Sequence, residues 1–219
     1  MKIIKPSIEV ITDLDYDRII KKIERIGRVC YKSEDRITEE SAEKFLSGIV
    51  KSGHGSVIEH ESITVRIICD RGVTHEIVRH RIASYSQEST RYCNYTGDKF
   101  GNEISVIDIA TGFHYDLNDP ADQKKYEIWQ NAMADAERHY FELIEAGAKP
   151  QEARSVLPNS LKTEIVMTMD LRSWRNFFSL RSSERAHPQI REISDALLTV
   201  FAEKLPVFFR DLKEALLPE

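Results

Sequence analysis

Glu61-Ser62-Ile63-Thr64-Val65-Arg66-Ile67-Ile68-Cys69 sets Ile63, Val65 and Ile67 at alternate positions, which a strand turns onto one buried face and a helix scatters. Asp70-Arg71-Gly72 then ends the strand with turn chemistry. Thr163 to Met169 reads as a second core strand, and Ile3 to Thr12 as a short opening one. Between the strands the period changes. Asp15 to Val29 carries Ile19, Ile20, Ile23 and Ile26 at helical spacing, and Thr38 precedes a helix over Glu39 to Val50 that Gly53 stops. Val73 to Arg81 is a short helix candidate, and Ile82 to Tyr95, hydroxyl-rich and without period, reads as a loop. Gly97 to Pro120 reads as a variable connection and Ala121 to Ala146 as a long helix. Pro150 and Pro158 bracket a short helix, Gln151 to Leu157. Ser173 to Ser179 is a helical turn or two, and Pro188 to Leu216 a last helix interrupted near Pro206. The expectation is α+β: one mixed domain over residues 1–219, with a central antiparallel sheet flanked by helices.

With 219 residues, 41% hydrophobic and 31% charged, the chain is long enough for one large core, which excludes disorder and collagen-like repeats. A net charge of −5 supplies no global field toward nucleic acid or anionic lipid. Three cysteines, Cys30, Cys69 and Cys93, form no paired motif, which favours a reducing cytoplasm over a disulfide framework. No apolar run has the length of a membrane span, and the first ten residues lack the apolar core of a signal peptide. The cations are segregated: no lysine lies between Lys51 and Lys99 or between Lys162 and Lys204, although ten of the 17 arginines do. Arginine without lysine suggests planar forks that grip carboxylate or phosphate oxygens, against the plainer reading of solvated ion pairs.

Several common sites are excluded by spacing. His75 and His80 are five apart, so on a helix their rings diverge and cannot share a zinc ion; His54 and His60 have no third ligand at a telling interval. We expect no metal. Gly53-His54-Gly55-Ser56 is not a nucleophile elbow, and no glycine-rich phosphate loop occurs. A bound nucleotide would therefore be held by side chains. Arg79-His80-Arg81-Ile82-Ala83-Ser84-Tyr85-Ser86-Gln87-Glu88-Ser89-Thr90-Arg91 supplies three arginines and a run of hydroxyls, with Glu88 the one acid. Arg172 to Arg191 holds five arginines against Glu184, and Asn176 and Arg181 read as polar groups set into apolar packing.

Arg79-His80-Arg81 with Ser84, Ser89 and Arg91 resembles the R-H-R-x-x-S-x-x-x-x-S-x-R signature of the flavin-dependent thymidylate synthases. Gly53-His54 with Glu59-His60, Ala153-Arg154 with Leu157-Pro158, and Asn176 with Leu180-Arg181 resemble three further segments of that family, in family order. The resemblance implies a homotetramer with FAD and dUMP at subunit interfaces. It also implies methylation of dUMP to dTMP with 5,10-methylenetetrahydrofolate as carbon donor and NADPH as reductant, hydride passing through the flavin with no cysteine nucleophile. By the same resemblance Arg181 is catalytic, binding the pyrimidine and favouring ionisation at N3. Glu76, Arg79, Gln87, Glu88, Ser89, Arg91, Arg154 and Arg181 match positions that contact dUMP. Ser56, Arg79, His80, Arg81, Gln87, Asp170, Arg172 and Asn176 match positions around FAD, and His54 lies in a flavin- and folate-proximal turn. Asp170 stands where the family has an asparagine, and Arg185-Ala186-His187 departs from its usual sequence. Two other readings make the same arginines a non-catalytic nucleotide-binding regulator or a set of structural subunit contacts.

Overall fold

Two nine-residue strands, each ending in an aspartate that starts the next helix, organise the chain. The structure is a computed structural model and describes residues 1–97 and 100–217; Lys99, which bounds the first lysine-free window, lies outside them. In chain order the elements are β1 (Lys2–Ile4), β2 (Ser7–Val10), α1 (Tyr16–Tyr31), α2 (Ser41–Lys51), β3 (Ser62–Asp70), α3 (Arg71–Ile77) and β4 (Ser84–Gln87). They continue with β5 (Ser105–Ile107), α4 (Pro120–Glu145), α5 (Pro150–Ala153), β6 (Lys162–Asp170), α6 (Leu171–Arg181), α7 (Pro188–Lys204) and α8 (Pro206–Leu216), and 3-10 turns fill Gly55–His60 and Arg154–Val156.

One sheet has the order β2-β3-β6-β4 and a second pairs β1 with β5 in parallel. β3 and β6 run antiparallel. Leu171 N–H donates to the Glu61 carbonyl at one end, Arg71 N–H to the Leu161 carbonyl at the other, and the Thr64 and Thr168 hydroxyls meet at 2.9 Å between them. β2 is antiparallel to β3 as well, with Ile11 N–H on the Thr64 carbonyl and Arg66 paired to Glu9. The mixed α+β class with an antiparallel sheet therefore holds.

The chain gathers into two compact units, each assembled from separate stretches. The first comprises Met1–Ser7, Ile67–Arg79 and Ser86–Val166; Tyr95, Ile104, Val106, Met133, Tyr140 and Leu161 form its core. The second comprises Ile8–Arg66, His80–Tyr85 and Met167–Glu219. Its centre is aromatic: Trp174, fully buried, lies stacked or edge-on against Phe177, Phe178 and Phe201, and its indole N–H donates to the Ile63 carbonyl at 3.1 Å. That bond ties α6 to β3.

Local chemistry accounts for the differences from the sequence reading. The opening strand is two strands in different sheets, because Pro6 lacks a ladder donor and interrupts them. Asp70 does not close a turn; its carboxylate accepts from Val73 N–H at 2.6 Å and starts α3 two residues before the expected helix, which stops at Ile77. Asp170 does the same for α6, accepting from Ser173 N–H and Oγ, both at 2.8 Å, so α6 outruns the expected turn or two at each end. Thr38 is not the cap of α2, which begins at Ser41, whose Oγ accepts from Thr38 N–H and can donate to the Thr38 carbonyl. Ser84–Gln87, read as loop, is the edge strand β4, and the polar connection after Gly97 contains β5.

Candidate functional site

In the first unit, α3, β4 and β6 converge on the hydroxyl-rich segment. The Gln87 amide donates to Thr74 Oγ1 at 3.1 Å and to Thr163 Oγ1 at 3.3 Å. Glu88 N–H donates to the Glu164 carbonyl, and the Glu88 carboxylate accepts from Lys162 Nζ at 2.7 Å. Arg71 reaches the Glu88 carbonyl at 3.4 Å and so braces the chain. Residues 87 and 88 are thereby pinned inward. Ser89 Oγ accepts from Arg91 N–H, Arg154 donates to Thr90 Oγ1, and the guanidinium groups of Arg91 and Arg154 remain exposed. Exposed forks beside a hydroxyl suit a phosphate. Arg79 lies beyond the end of α3 and donates through Nε to the His75 carbonyl; it does not share a helical face with Glu76.

In the second unit, Arg181 Nε donates to His80 Nε2 at 2.9 Å. His80 is buried with its ring edge-on to Phe177, and Tyr85 hydroxyl and Arg81 both donate to its carbonyl. Burial, reinforced by the Arg181 guanidinium, lowers the imidazole to about 4. A neutral ring that accepts at Nε2 must carry its proton on Nδ1, which fixes the tautomer and orients Arg181. An unfolded histidine titrates near 6.5, so this contribution to stability is full above about pH 6.5 and is lost progressively as pH falls toward 4. Between pH 7 and 5 the unfolding midpoint of the wild type should therefore fall by roughly 5 °C more than that of His80→Gln, a difference that thermal melts at the two pH values measure.

Arg172 lies across Gly55, where an added Cβ would stand 2.8 Å from its Cδ and Nε, and it pairs with Glu59 at 2.6 Å. The turn with Ser56 and the start of α6 are thus locked to each other. His54, at the head of that turn, is hydrogen-bonded through Nδ1 to the Tyr31 hydroxyl. Asn176 is exposed, against the expectation that it is set into apolar packing, and Arg181 is half-buried against His80. The apparent excess of arginine in this window is met by acids from elsewhere: Glu59 for Arg172, Asp211 for Arg175 and Asp195 for Arg191.

The structure thus groups Gln87, Glu88, Ser89, Arg91 and Arg154 in one unit, and Ser56, His80, Arg81, Asp170, Arg172, Asn176 and Arg181 in the other. Sequence reasoning assigned no role to Glu59 or Lys162. The place of Glu59 in the Gly53-His54…Glu59-His60 segment and that of Lys162 as the last lysine before a lysine-free window were the signals available.

The family model described as thymidylate synthase complementing protein matches residues 14–207. A flavin-dependent thymidylate synthase from Geobacter sulfurreducens is 35% identical over 192 residues, covering 84% of this chain and 78% of that protein. One from Mycobacteroides abscessus is 33% identical over 226 residues, covering 98% and 87%. The UMP/dUMP methylase PolB from Streptomyces cacaoi, solved with 5-Br dUMP, superposes with a TM-score of 0.79 over 98% of this chain and 97% of that one at 23% identity, a likeness of fold. With four motifs in order and matches over most of its length, the chain belongs to the flavin-dependent thymidylate synthase family.

Proposed function

We propose that the protein is a cytoplasmic, homotetrameric flavin-dependent thymidylate synthase, residues 1–219 acting as one catalytic domain with sites at subunit interfaces. It methylates dUMP to dTMP with 5,10-methylenetetrahydrofolate as carbon donor and NADPH as reductant, and takes neither nucleic acid nor membrane as partner. Among the described residues no helix is long and apolar enough to cross a membrane.

Arg181, a guanidinium aimed by a neutral imidazole, carries the reading: it is a permanent cation held in one orientation, suited to a uracil N3 that gains negative charge. The donor set also suits FAD. Arg79, Arg81 and Arg172 present exposed guanidinium groups toward a pyrophosphate, Ser56 and Asn176 add exposed neutral polar groups, and Gln87 and His80 act from behind them by holding Thr74, Thr163 and Arg181. Asp170 contributes by capping α6, the helix that bears Arg172 and Asn176. FAD, once bound and reduced by NADPH, would supply the hydride for the uracil ring. Ser89, Arg91, Arg154 and Arg79 hold the dUMP phosphate, Glu76 contacts the nucleotide, and Gln87 and Glu88, pinned inward, hold the segment that receives it. No cysteine nucleophile is required, in keeping with Cys69, a buried thiol that burial and Asp70 push further from ionisation.

The test is dTMP formation by the FAD-loaded protein from dUMP, methylenetetrahydrofolate and NADPH; flavin binding without product would sink the activity. A regulator would bind dUMP without need of flavin. Arg91→Ala should weaken dUMP binding by roughly tenfold or more, since a charged hydrogen bond to phosphate is lost, and should leave deoxyuridine binding within about twofold. Calorimetric titration with both ligands separates these outcomes.

A further inference from the structure

Glu88 poses an electrostatic difficulty. It directly precedes Ser89-Thr90-Arg91, the segment proposed to receive the dUMP phosphate, and a carboxylate beside a dianion opposes binding. Its side chain is 12% exposed, so water screens it poorly. One oxygen meets Lys162 Nζ at 2.7 Å; the other, Oε1, is buried with no donor among the described residues. Lys162, itself 22% exposed, also stands 4.0 Å from Glu164, so one ammonium serves two carboxylates. Arg71 touches only the backbone carbonyl of Glu88, and the Gln87 amide is spent on Thr74 and Thr163. Among these groups the neutralisation of Glu88 falls to Lys162.

We propose that Lys162 is a positioning residue for nucleotide binding: by holding and neutralising Glu88 it keeps the Ser89–Arg91 segment receptive to a phosphate. The inference rests on the function proposed above. Without the ammonium, the Glu88 carboxylate loses its one charged partner among these groups in a poorly solvated place, and its repulsion is felt by any anion on the adjacent segment. Neutral ligands do not feel it.

The experiment uses the FAD-loaded full chain, with dUMP and deoxyuridine titrated separately by calorimetry and steady-state kinetics run in dUMP. For K162M, dUMP affinity should fall by roughly tenfold, deoxyuridine affinity should change by less than about twofold, and KM for dUMP should rise with kcat nearly kept. K162R should restore most of the affinity, and K162M/E88Q should bind dUMP better than K162M because the orphaned charge is gone. K162Q, uncharged but still able to donate to Glu88, should show the same phosphate-specific loss and serves if K162M does not fold. Equal losses for dUMP and deoxyuridine, wild-type affinity in K162M and K162Q, or no recovery in the double variant would overturn the proposal. Wild-type protein that binds no dUMP would instead overturn the function on which it rests.

Discussion

Arg181→Ala is expected to lower turnover by roughly two to three orders of magnitude while bound flavin and the fold survive. The side chain does little for the core: it sits at the C-terminal end of α6, half-buried, and its Nε contact is to His80 rather than to the aromatic cluster. Under the proposed function, what is lost is a cation held where negative charge grows on the pyrimidine. Arg181→Lys should recover little, because an ammonium on a flexible stem has no Nε donor for His80 and no planar fork to present to the uracil edge. His80→Gln keeps an acceptor for Arg181 and should fall between wild type and Arg181→Ala. Single-turnover dTMP formation by flavin-loaded variants, with absorbance at flavin wavelengths as the check on cofactor, measures the series. Normal turnover in Arg181→Ala would remove this residue from the chemistry.

The largest effect on stability is expected at Trp174. Its side chain is 0% exposed, and Trp174→Ala should cost about 3–5 kcal/mol, the usual range for emptying such a site. Trp174→Phe keeps the ring contacts and gives up the indole N–H bond to the Ile63 carbonyl, and should cost about 0.5–1.5 kcal/mol. Urea unfolding at constant pH distinguishes the two. Because α6 carries Arg172, Asn176 and Arg181, the alanine variant should also lose flavin affinity in step with stability. Full flavin affinity in a strongly destabilised Trp174→Ala would show that β3 and α6 need not stay tied for the cofactor to bind.

Elements that bury a regular face were legible in the sequence. β3 and β6 alternate, α1 repeats its isoleucines at helical spacing, and the prolines of α4, α5, α7 and α8 mark helix starts. β4 was not legible, because an edge strand of Ser84-Tyr85-Ser86-Gln87 owes its place to backbone pairing rather than to an apolar stripe. β1 and β5 pair across about a hundred residues, a contact no local pattern encodes. The site divides in the same way. Arginines and hydroxyls in a fixed order gave the family resemblance away, whereas the partners that make them usable, Lys162 for Glu88, Glu59 for Arg172 and His80 for Arg181, lie 74, 113 and 101 residues away along the chain.

The interleaving of the two units bears on how the protein is made. Ribosomes add roughly 5–20 residues per second, and a domain that is continuous in sequence can fold as soon as it emerges. Here neither unit is continuous: the first needs residues as far as Val166, and the second, although it includes residues from Ile8 onward, needs Met167–Glu219. During synthesis β3 is exposed long before its partner β6 exists, with Ile63, Val65 and Ile67 uncovered. The nascent chain thus presents an apolar strand until its last quarter is translated, so a holdase acting on that strand should raise the yield of native protein more than one acting after release.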